Sequence, residues 1–519
     1  MVSLLLVRER GPFFYSFSAD PAYVYLVSSL NVAILRFDLI GHTDHPGTPL
    51  QLFGGIVIRF LHPFDSDSVL INKIFENPEF YITAIVWALI ALTFLVFFVS
   101  GLMVYRSTES LWLALLVQAG PFFSSLTVYE SLARFRPETP LVFVTQLLIT
   151  FVVISIFGGS HDKKDPMLYL KFSILSGLGL ALKYTFLPLI LLPLVVLNGR
   201  KEKIKYLIVT FLVFTIFIVP ILPQFHRSLE FVAVNILSTQ AYGSGSFGLW
   251  EPHIALNGVT TLLIAEPVMF FLVLMFPIFL IYFRLSGRVP KNFSRNSRYR
   301  LILICLVIIS LQLIIFFKNH TLRYFLPTVF LTIPFGLAFF SLISSYMFNG
   351  KLSRAILASA RVKLVLGVFL IFYISLNLYN YFDVFKKYSV NRREQHKILS
   401  SSQGLKLFGY MCSVPDAGLY LGNSYSNYYY SDHYTSVYGD AYTFNAWKKP
   451  YKIEYLGQLS MLSDIIGESG KLVFCGLGWS FALFEEYVNE NGYELKRLNE
   501  PYIKYTSDEV VVEYEVRKL

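Results

Sequence analysis

The feature that most constrains this chain is a series of long apolar runs. They lie at 78–104, 111–128, 139–157, 168–198, 204–222, 256–283, 301–317, 324–347 and 364–382. A helix needs about 17–25 apolar residues to cross a bilayer. Only 15% of the residues are charged and the mean hydropathy is +0.55, whereas a soluble globular domain carries roughly 25% charged residues. The sequence therefore predicts an α-helical polytopic membrane protein.

The run 168–198 is too long for one crossing and is interrupted by Lys183. A lysine at the centre of a membrane helix costs about 2.5–3.5 kcal/mol on insertion scales. We therefore expect two short helices, 168–182 and 184–198, that turn at the outer face and return. The turn would lie in a recessed cavity, and the ammonium group would be in water or against phosphate. We expect it within about 15 Å of Asp20, the scale of a pocket for one sugar phosphate.

Lysine and arginine residues set the predicted orientation. With the interrupted run counted as two crossings, the chain makes about ten, and one set of short loops holds 17 Lys and Arg residues. Because such residues are retained in cytoplasmic loops, the other set faces outward. The basic residues of the outward set are Arg134, Arg136, Lys183, Arg227, Lys318 and Arg323. This bias accounts for the net charge of +10 without nucleic acid as a partner.

The topology divides the chain into three parts. They are an external segment with juxtamembrane helices at 1–77, a transmembrane domain at 78–382 and a small extracytoplasmic α/β domain at 383–519. An exported N-terminal segment requires a crossing before it, and the apolar stretch 1–7 is far too short to span. We therefore expect a first transmembrane helix upstream of Met1. The alternative is a short N-terminal segment that is exported directly.

The C-terminal domain is polar and rich in tyrosine. Its pattern predicts short strands at 418–422 and 471–476, a helix at 479–491 and a closing strand at 509–516. No Cys-x-x-Cys or Cys/His cluster indicates a structural zinc site. Cys412 and Cys475 could form a disulfide if the domain faces an oxidising compartment, although spacing alone does not establish the pairing.

Ionisable residues gather in the first external segment. Asp20 precedes Tyr23 and Tyr25 at the start of a predicted amphipathic helix, and Asp44 and His45 follow in a loop rich in turn-forming residues. The alternative is a capped interfacial helix with a solvated loop. Ionisable groups beside a membrane are costly and tend to be retained for function, so the cluster as a whole predicts a functional site.

Further candidate residues lie in the later external loops. An arginine guanidinium can hold a phosphate through two parallel hydrogen bonds. The alternatives are an Arg–Glu ion pair, contact with lipid headgroups or, for lysine, extension of the side chain to the interface. The candidate substrate-binding residues in these loops are Arg136, Glu138, Lys183, His320, Arg323 and Tyr324.

The order of these motifs resembles that of GT-C fold glycosyltransferases, specifically the superfamily of protein O-mannosyltransferases and aminoarabinose transferases (family 39). The resemblance covers roughly residues 15–350. Asp20 with Tyr23 resembles the acidic motif that follows the first helix in that family, and the His-Pro-Gly-Thr-Pro-Leu stretch at 45–50 resembles its His-Pro-Pro-Leu stretch. Stretches 136–138, 179–184 and 323–327 resemble later motifs of the family in the same order.

Two residues depart from the family pattern. Pro21 stands where the family has a second acid, and Gly47 interrupts the proline pair. These departures weaken the inference of a divalent metal site and of a particular donor sugar. A divalent metal remains an option, and the motifs imply no other cofactor.

The resemblance implies a transfer reaction at the outer face of a cell membrane. The donor would be a monosaccharide on a polyprenyl or dolichyl phosphate, and the acceptor a protein, lipid or glycan. Asp20 would act as the catalytic base, and the anomeric centre would invert. Arg136, Lys183 and Arg323 would stabilise the lipid phosphate, and His45, Glu138 and His320 would orient the substrates.

Two other classes of function fit parts of the sequence. A transporter or flippase for a lipid-linked or anionic substrate would also need charged groups near the membrane, but such proteins often have repeated halves with broken helices. Here the interrupted run has no counterpart elsewhere in the sequence. A non-catalytic polymer-assembly or binding protein would use the tyrosine-rich domain as its working part.

Overall fold

The computed structural model shows two compact units. It describes residues 11–15, 22–124, 126–127, 131, 134–158, 165–239, 247–248, 252–286, 293, 296–319, 321–347, isolated positions between 367 and 397, 405–409, 412–446, 450–466, 470–500 and 509–518. Unit 1 comprises Met1–His42, Leu50–Ala88 and Phe382–Leu519, and unit 2 comprises Thr43–Pro49 and Leu89–Tyr381. Parts of the predicted segments 1–77 and 383–519 thus belong to one unit.

Most of the described chain before residue 350 is helical. The helices are α1 (Ala22–Ala33), α2 (Thr48–Leu61), α3 (Asp67–Glu76), α4 (Pro78–Thr108), α5 (Leu111–Ala119), α6 (Glu138–Phe157), α7 (Leu168–Leu182), α8 (Gly199–Ile218), α9 (Phe225–Leu237), α10 (Pro252–Ala265), α11 (Pro267–Leu285), α12 (Ser297–Asn319), α13 (Leu326–Val329) and α14 (Thr332–Met347). Short 3-10 helices extend several of them.

Several helices are long and apolar enough to cross a membrane. Among the described residues there are five such stretches: α4, α6, the continuous stretch Gly199–Leu237, α11 and most of α12. A sixth follows if the pair Leu322–Val329 and Thr332–Tyr346, bent by 44°, counts as one span. These helices are compatible with a multi-pass membrane protein. The predicted run 364–382 lies outside the described residues apart from isolated positions.

The predicted span 256–283 is divided, which corrects the sequence interpretation. Glu266 has a non-helical backbone and separates α10 from α11. The residue that precedes a proline is disfavoured in the helical region, and Pro267 follows directly. The break therefore has a local cause that the apolar composition of the run concealed.

The predicted division of 168–198 at Lys183 is confirmed. Helix α7 ends at Leu182, Lys183 is extended, and a 3-10 helix covers Tyr184–Val195. The second half is not the α-helix expected, since it contains Pro188 and Pro193, and proline removes a backbone donor inside a helix.

The C-terminal part of unit 1 is an α/β fold. Its elements are β1 (Leu405–Phe408), α15 (Pro415–Tyr425), α16 (Ser431–Tyr438), β2 (Ala441–Asn445), β3 (Lys452–Tyr455), β4 (Gln458–Ser460), α17 (Leu462–Ile466), β5 (Lys471–Leu477), α18 (Gly478–Glu490), β6 (Tyr493–Arg497) and β7 (Glu509–Lys518). The strands form one sheet in the order β4-β3-β2-β1-β5-β7-β6. The pairs β1–β2 and β1–β5 are parallel, and the others are antiparallel.

Three of the predicted C-terminal elements are confirmed and one is wrong. The strand at 471–476, the helix at 479–491 and the strand at 509–516 match β5, α18 and β7. The segment predicted as a strand at 418–422 lies inside α15. Pro415 and Asp416 favour a helix start at this position, and this signal outweighed the short apolar run.

A disulfide joins Cys412 to Cys475, as the sequence allowed. Cys475 lies on β5, where it pairs with Phe408 of β1. The bond therefore ties the segment after β1 to the neighbouring strand. The carboxylate of Glu509 accepts hydrogen bonds from the backbone N–H and the hydroxyl of Ser413, the residue after Cys412.

Helix α1 is buried along its whole length, which corrects the amphipathic helix predicted after Asp20. On one side a Cβ on Gly422 of α15 would lie 2.6 Å from a Val27 methyl group, so the helices touch through glycine. On another side a Cβ on Gly55 of α2 would lie equally close to Val32. Because neighbours from distant parts of the chain cover it, no face of α1 remains for solvent.

Asn31 fixes α1 to the C-terminal part of the same unit. Its side-chain amide donates to Leu39 O at 2.8 Å and to Ser426 Oγ at 2.9 Å. Its carbonyl oxygen accepts a hydrogen bond from the hydroxyl of Tyr430. One N–H of this buried amide bonds locally to Leu39. The other N–H and the carbonyl oxygen bond to Ser426 and Tyr430, which are remote in the sequence.

Candidate functional site

A buried ion pair joins two of the residues predicted as substrate-binding. The ammonium group of Lys183 donates a hydrogen bond to Oε1 of Glu138, and the two side chains are 1% and 2% exposed. Both residues belong to unit 2. The ammonium of Lys183, which we predicted to lie in water or against phosphate, is instead buried against this carboxylate.

Local structure places these two side chains at helix ends. Glu138 is the first residue of α6, where the positive end of the helix dipole favours a carboxylate. Lys183 follows the last residue of α7, and its backbone N–H donates to Gly179 O at 3.0 Å. A Cβ on Gly179 would lie 2.6 Å from the Phe186 ring, so glycine allows the 3-10 helix to fold back tightly.

Arg323 adds a second cation beside Glu138. Its Nε lies 4.0 Å from Glu138 Oε1, and its side chain is 23% exposed. The residue lies on the 3-10 helix Leu322–Phe325, before α13. One carboxylate oxygen therefore lies next to an ammonium and a guanidinium, and the guanidinium is the more accessible of the two.

Tyr324 forms the aromatic wall of this group. The ammonium of Lys183 lies 4.5 Å from the centre of its ring, a distance at which a cation is attracted by the ring face. The backbone carbonyl of Tyr324 accepts a hydrogen bond from the Gln312 amide on α12. The tyrosine is buried, so its ring is held in one position by packing.

His45 completes the group from the N-terminal side of unit 2. Its ring meets the Tyr324 ring edge-on at 6.1 Å and the Phe231 ring edge-on at 5.6 Å between centroids. His45 and its neighbour Asp44 are half-buried. We call His45, Glu138, Lys183, Arg323 and Tyr324 the charged cluster; they come from four separate segments of the sequence.

Arg136 lies in the turn that precedes α6. Its side chain is 6% exposed, and its backbone carbonyl accepts from the N–H of Thr139 at 3.1 Å. The Thr139 hydroxyl also donates to the carbonyls of Ser131 and Arg134. These bonds fix the turn, so the arginine-rich segment is ordered and buried rather than a solvated loop.

Two predicted site residues, Asp20 and His320, lie outside the described residues. Their roles, and the predicted distance between Lys183 and Asp20, stay predictions. The structure thus brings together five of the nine predicted residues. Asp44 directly precedes His45 in the chain, and Arg136 lies two residues before Glu138.

The arrangement resembles a site for an anionic group. Two cations share one carboxylate, and all three groups are partly or fully removed from water. Charges interact more strongly in the protein interior than in water. Burial of an ion pair gives little net stability because both charges lose their hydration. An anion that reaches the cluster would meet the more accessible guanidinium of Arg323 first, because Glu138 already neutralises the buried ammonium of Lys183.

A second buried acid of unit 2, Glu266, is not among the predicted site residues. Its carboxylate accepts a hydrogen bond from the hydroxyl of Ser124, and its side chain is buried at the break between α10 and α11. Phe231, the other ring beside His45, was not predicted. A single aromatic residue in an apolar sequence gives no signal that would distinguish it.

The described residues offer little support for a metal site. Among them, the one group of three possible ligands comprises Cys412, Cys475 and Glu509. The two sulfur atoms are joined in the disulfide, so they do not act as thiolate ligands.

Comparison of the sequence with models of known protein families and with curated proteins finds no match. The interpretation of the charged cluster therefore rests on its own geometry and on the motifs in the sequence. Five residues with compatible chemistry from four segments are the basis for a functional assignment.

Proposed function

We propose that the protein is a membrane glycosyltransferase that moves a monosaccharide from a polyprenyl-phosphate carrier to an extracytoplasmic acceptor. The observation that carries the proposal is the charged cluster, in which Lys183 and Arg323 flank Glu138 within the helical unit. A lipid phosphate needs cations in a membrane-embedded protein, and these two would supply them. The similarity of the motifs to GT-C enzymes supports the same assignment.

The reaction needs a base that takes the proton of the acceptor hydroxyl, and cations that stabilise the negative charge of the departing phosphate. The acceptor hydroxyl oxygen attacks the anomeric carbon, the bond from that carbon to the phosphate oxygen breaks, and the hydroxyl proton passes to the base. Asp20 is the base assigned from the sequence. Attack from the side opposite the leaving group inverts the anomeric centre.

Lys183 and Arg323 would stabilise the phosphate as its negative charge grows. Electrostatic groups that are already oriented lower the barrier because they need not reorganise during the reaction. Glu138 holds the ammonium in place before the donor binds. Arg136 would contribute a third cation to the phosphate. The rings of His45 and Tyr324 would flank the substrates, and Asp44 and His320 would orient the donor and acceptor.

The disulfide supports an outward location for the C-terminal domain. Disulfides persist in the periplasm and outside the cell and are rare in the cytosol, and Cys412 and Cys475 are paired. The bias of Lys and Arg residues between the loops favours the same orientation. We therefore place the protein in the cell (inner) membrane, with its site facing the periplasm or the exterior.

Binding of the released lipid phosphate tests the proposal directly. Purified protein in nanodiscs should bind a short-chain polyprenyl phosphate, and Lys183→Met should weaken this binding at least tenfold. Lys205→Met is the matched control, because Lys205 is an exposed lysine of α8 outside the charged cluster. Equal affinity of the wild type and Lys183→Met would remove the phosphate role of the cluster.

A further inference from the structure

One end of unit 2 carries a concentration of basic side chains. We define the basic rim as five residues in the first two turns of α8 and α12: Arg200, Lys201, Lys203, Arg298 and Arg300. Three of them are exposed, and Lys203 and Arg298 are half-buried. The rim is therefore an accessible surface rather than a sealed interior.

The charges of the rim are not neutralised by the protein itself. Within the ranges that the structure describes, no carboxylate forms an ion pair with any of the five side chains. The neighbouring acid, Glu202, instead accepts a hydrogen bond from the backbone N–H of Asn198 at 3.0 Å. The rim thus presents a local excess of positive charge to its surroundings.

Contacts between the helices bring the two parts of the rim together. The Arg300 guanidinium donates to the backbone carbonyl of Val195 at 3.4 Å, and Val195 ends the 3-10 helix that precedes α8. The Arg298 guanidinium lies 5.7 Å from the centre of the Phe157 ring, within reach of a cation–π interaction. Both guanidinium groups are thus held near the start of α8.

The basic rim is separate from the charged cluster. Arg298 lies beside Phe157, the last residue of α6, whereas Glu138 of the charged cluster is the first residue of that helix. Helix α6 has 20 residues, which corresponds to about 30 Å at 1.5 Å per residue. This length is about the thickness of the hydrocarbon core of a bilayer, so one headgroup cannot contact both sites.

Apolar side chains follow the rim along both helices and are open to the surroundings. On α8, Ile204, Ile208 and Phe211 are 56%, 55% and 66% exposed. On α12, Leu303 and Val307 are 40% and 47% exposed. Both helices belong to stretches long and apolar enough to cross a membrane. Each helix therefore presents cations first and an apolar surface next, in the order of a phospholipid headgroup and its acyl chains.

We propose that the basic rim binds the headgroups of anionic phospholipids, with the acyl chains along the exposed apolar surfaces of α8 and α12. Guanidinium and ammonium groups form strong hydrogen bonds with phosphate oxygens. A Lys or Arg residue beside a membrane strengthens binding to anionic lipid by about fivefold. A zwitterionic lipid carries its own cation and gains less. A nucleic acid would meet the charges but would leave the apolar surface unused.

Native mass spectrometry of the full chain in a neutral detergent tests the rim. Dioleoyl phosphatidylglycerol is compared with dioleoyl phosphatidylcholine, which has the same acyl chains. The wild type should bind phosphatidylglycerol at least about tenfold more tightly. The variant Arg200→Gln/Lys201→Gln/Lys203→Gln should lose most of this preference. Arg298→Gln/Arg300→Gln, which changes the other helix, should weaken binding of phosphatidylglycerol by at least about fivefold.

The matched control is Lys452→Gln/Lys471→Gln/Lys518→Gln, which removes three exposed charges from strands of unit 1. It should keep the lipid preference of the wild type. Equal binding of the two lipids by the wild type, an unchanged preference in both rim variants, or an equal loss in the control would overturn the proposal.

Soluble glycerol 1-phosphate distinguishes a lipid site from a site for free phosphate. It should not displace phosphatidylglycerol at equal concentration, because it lacks the acyl chains. Full displacement would overturn the lipid assignment. Binding at the rim is independent of the sugar transfer that we propose for the charged cluster. A wild-type protein that prefers phosphatidylglycerol but transfers no sugar would overturn the proposed function and keep the lipid site.

Discussion

Lys183 and Glu138 form an ion pair whose side chains are 1% and 2% exposed, although 45 residues separate them in the sequence. The pair joins the end of α7 to the start of α6, so it fixes the two ends to each other within unit 2. Arg323 lies at 4.0 Å from the same carboxylate oxygen. The cluster is thus both a structural junction and the group that we propose for phosphate binding.

Removal of either charge should reveal this double role. Loss of one partner of a buried ion pair costs about 3–5 kcal/mol, so Glu138→Gln should lower the melting temperature of the purified protein clearly. The double variant Glu138→Gln/Lys183→Met should recover part of the loss, because no charge of the pair is then left buried. Thermal unfolding of the three variants and the wild type gives the coupling. Additive losses would show that the pair does not interact.

Asn31 should stabilise unit 1. Asn31→Ala removes the partner of Ser426 and of the Tyr430 hydroxyl, and an unpaired buried polar group costs about 1–3 kcal/mol. The melting temperature should fall by about 2–4 °C for each kcal/mol lost. Asn491→Ala is the control, because that amide is exposed and bonds within its own helix end. An equal effect of both substitutions would contradict the special role of Asn31.

The disulfide should matter for the stability of the C-terminal domain. Cys412 and Cys475 close a long segment, and loss of such a bond costs about 2–4 kcal/mol. Reduction, or the pair of substitutions to serine, should therefore increase digestion of this domain by a protease. Cys305→Ala should not, since Cys305 is a free cysteine of α12. A wild-type domain that is digested equally before and after reduction would argue against the effect.

Labelling of introduced cysteines should show which side of the membrane two named positions face. Asn489→Cys in α18 should react with a membrane-impermeant maleimide in intact cells, because we place the C-terminal domain outside. Lys201→Cys in α8 should react only after lysis, because its loop belongs to the basic, cytoplasmic set. Both positions are exposed. The reverse pattern would invert the predicted topology.

Local signals in the sequence predicted several elements of the fold. Lys183 within an apolar run marked the division of 168–198, and the pattern of the polar C-terminal part marked the strand β7. The break at Glu266 had a local signal too, the following Pro267, but it was hidden by a long apolar run. These are effects between neighbours in the chain, which a sequence displays directly.

Contacts between distant segments could not be predicted in the same way. Burial of every side of α1 depends on Gly422 and Gly55 from other segments, so its residues alone suggested an exposed face. The pairing of Lys183 with Glu138 depends likewise on how α6 and α7 pack. The motifs singled out nine residues, and only the fold shows that five of them lie together in the charged cluster.

The central claim is tested most directly by sugar transfer from a radiolabelled polyprenyl-phosphate monosaccharide with the purified protein in nanodiscs. The wild-type protein should transfer the labelled sugar to an acceptor molecule that is extracted from the native membrane together with the protein. Asp20→Asn and Lys183→Met should each lower the rate at least a hundredfold, while Lys205→Met keeps it. Absence of transfer by the wild type, with passage of the intact donor across the bilayer instead, would contradict the enzyme assignment and indicate a flippase.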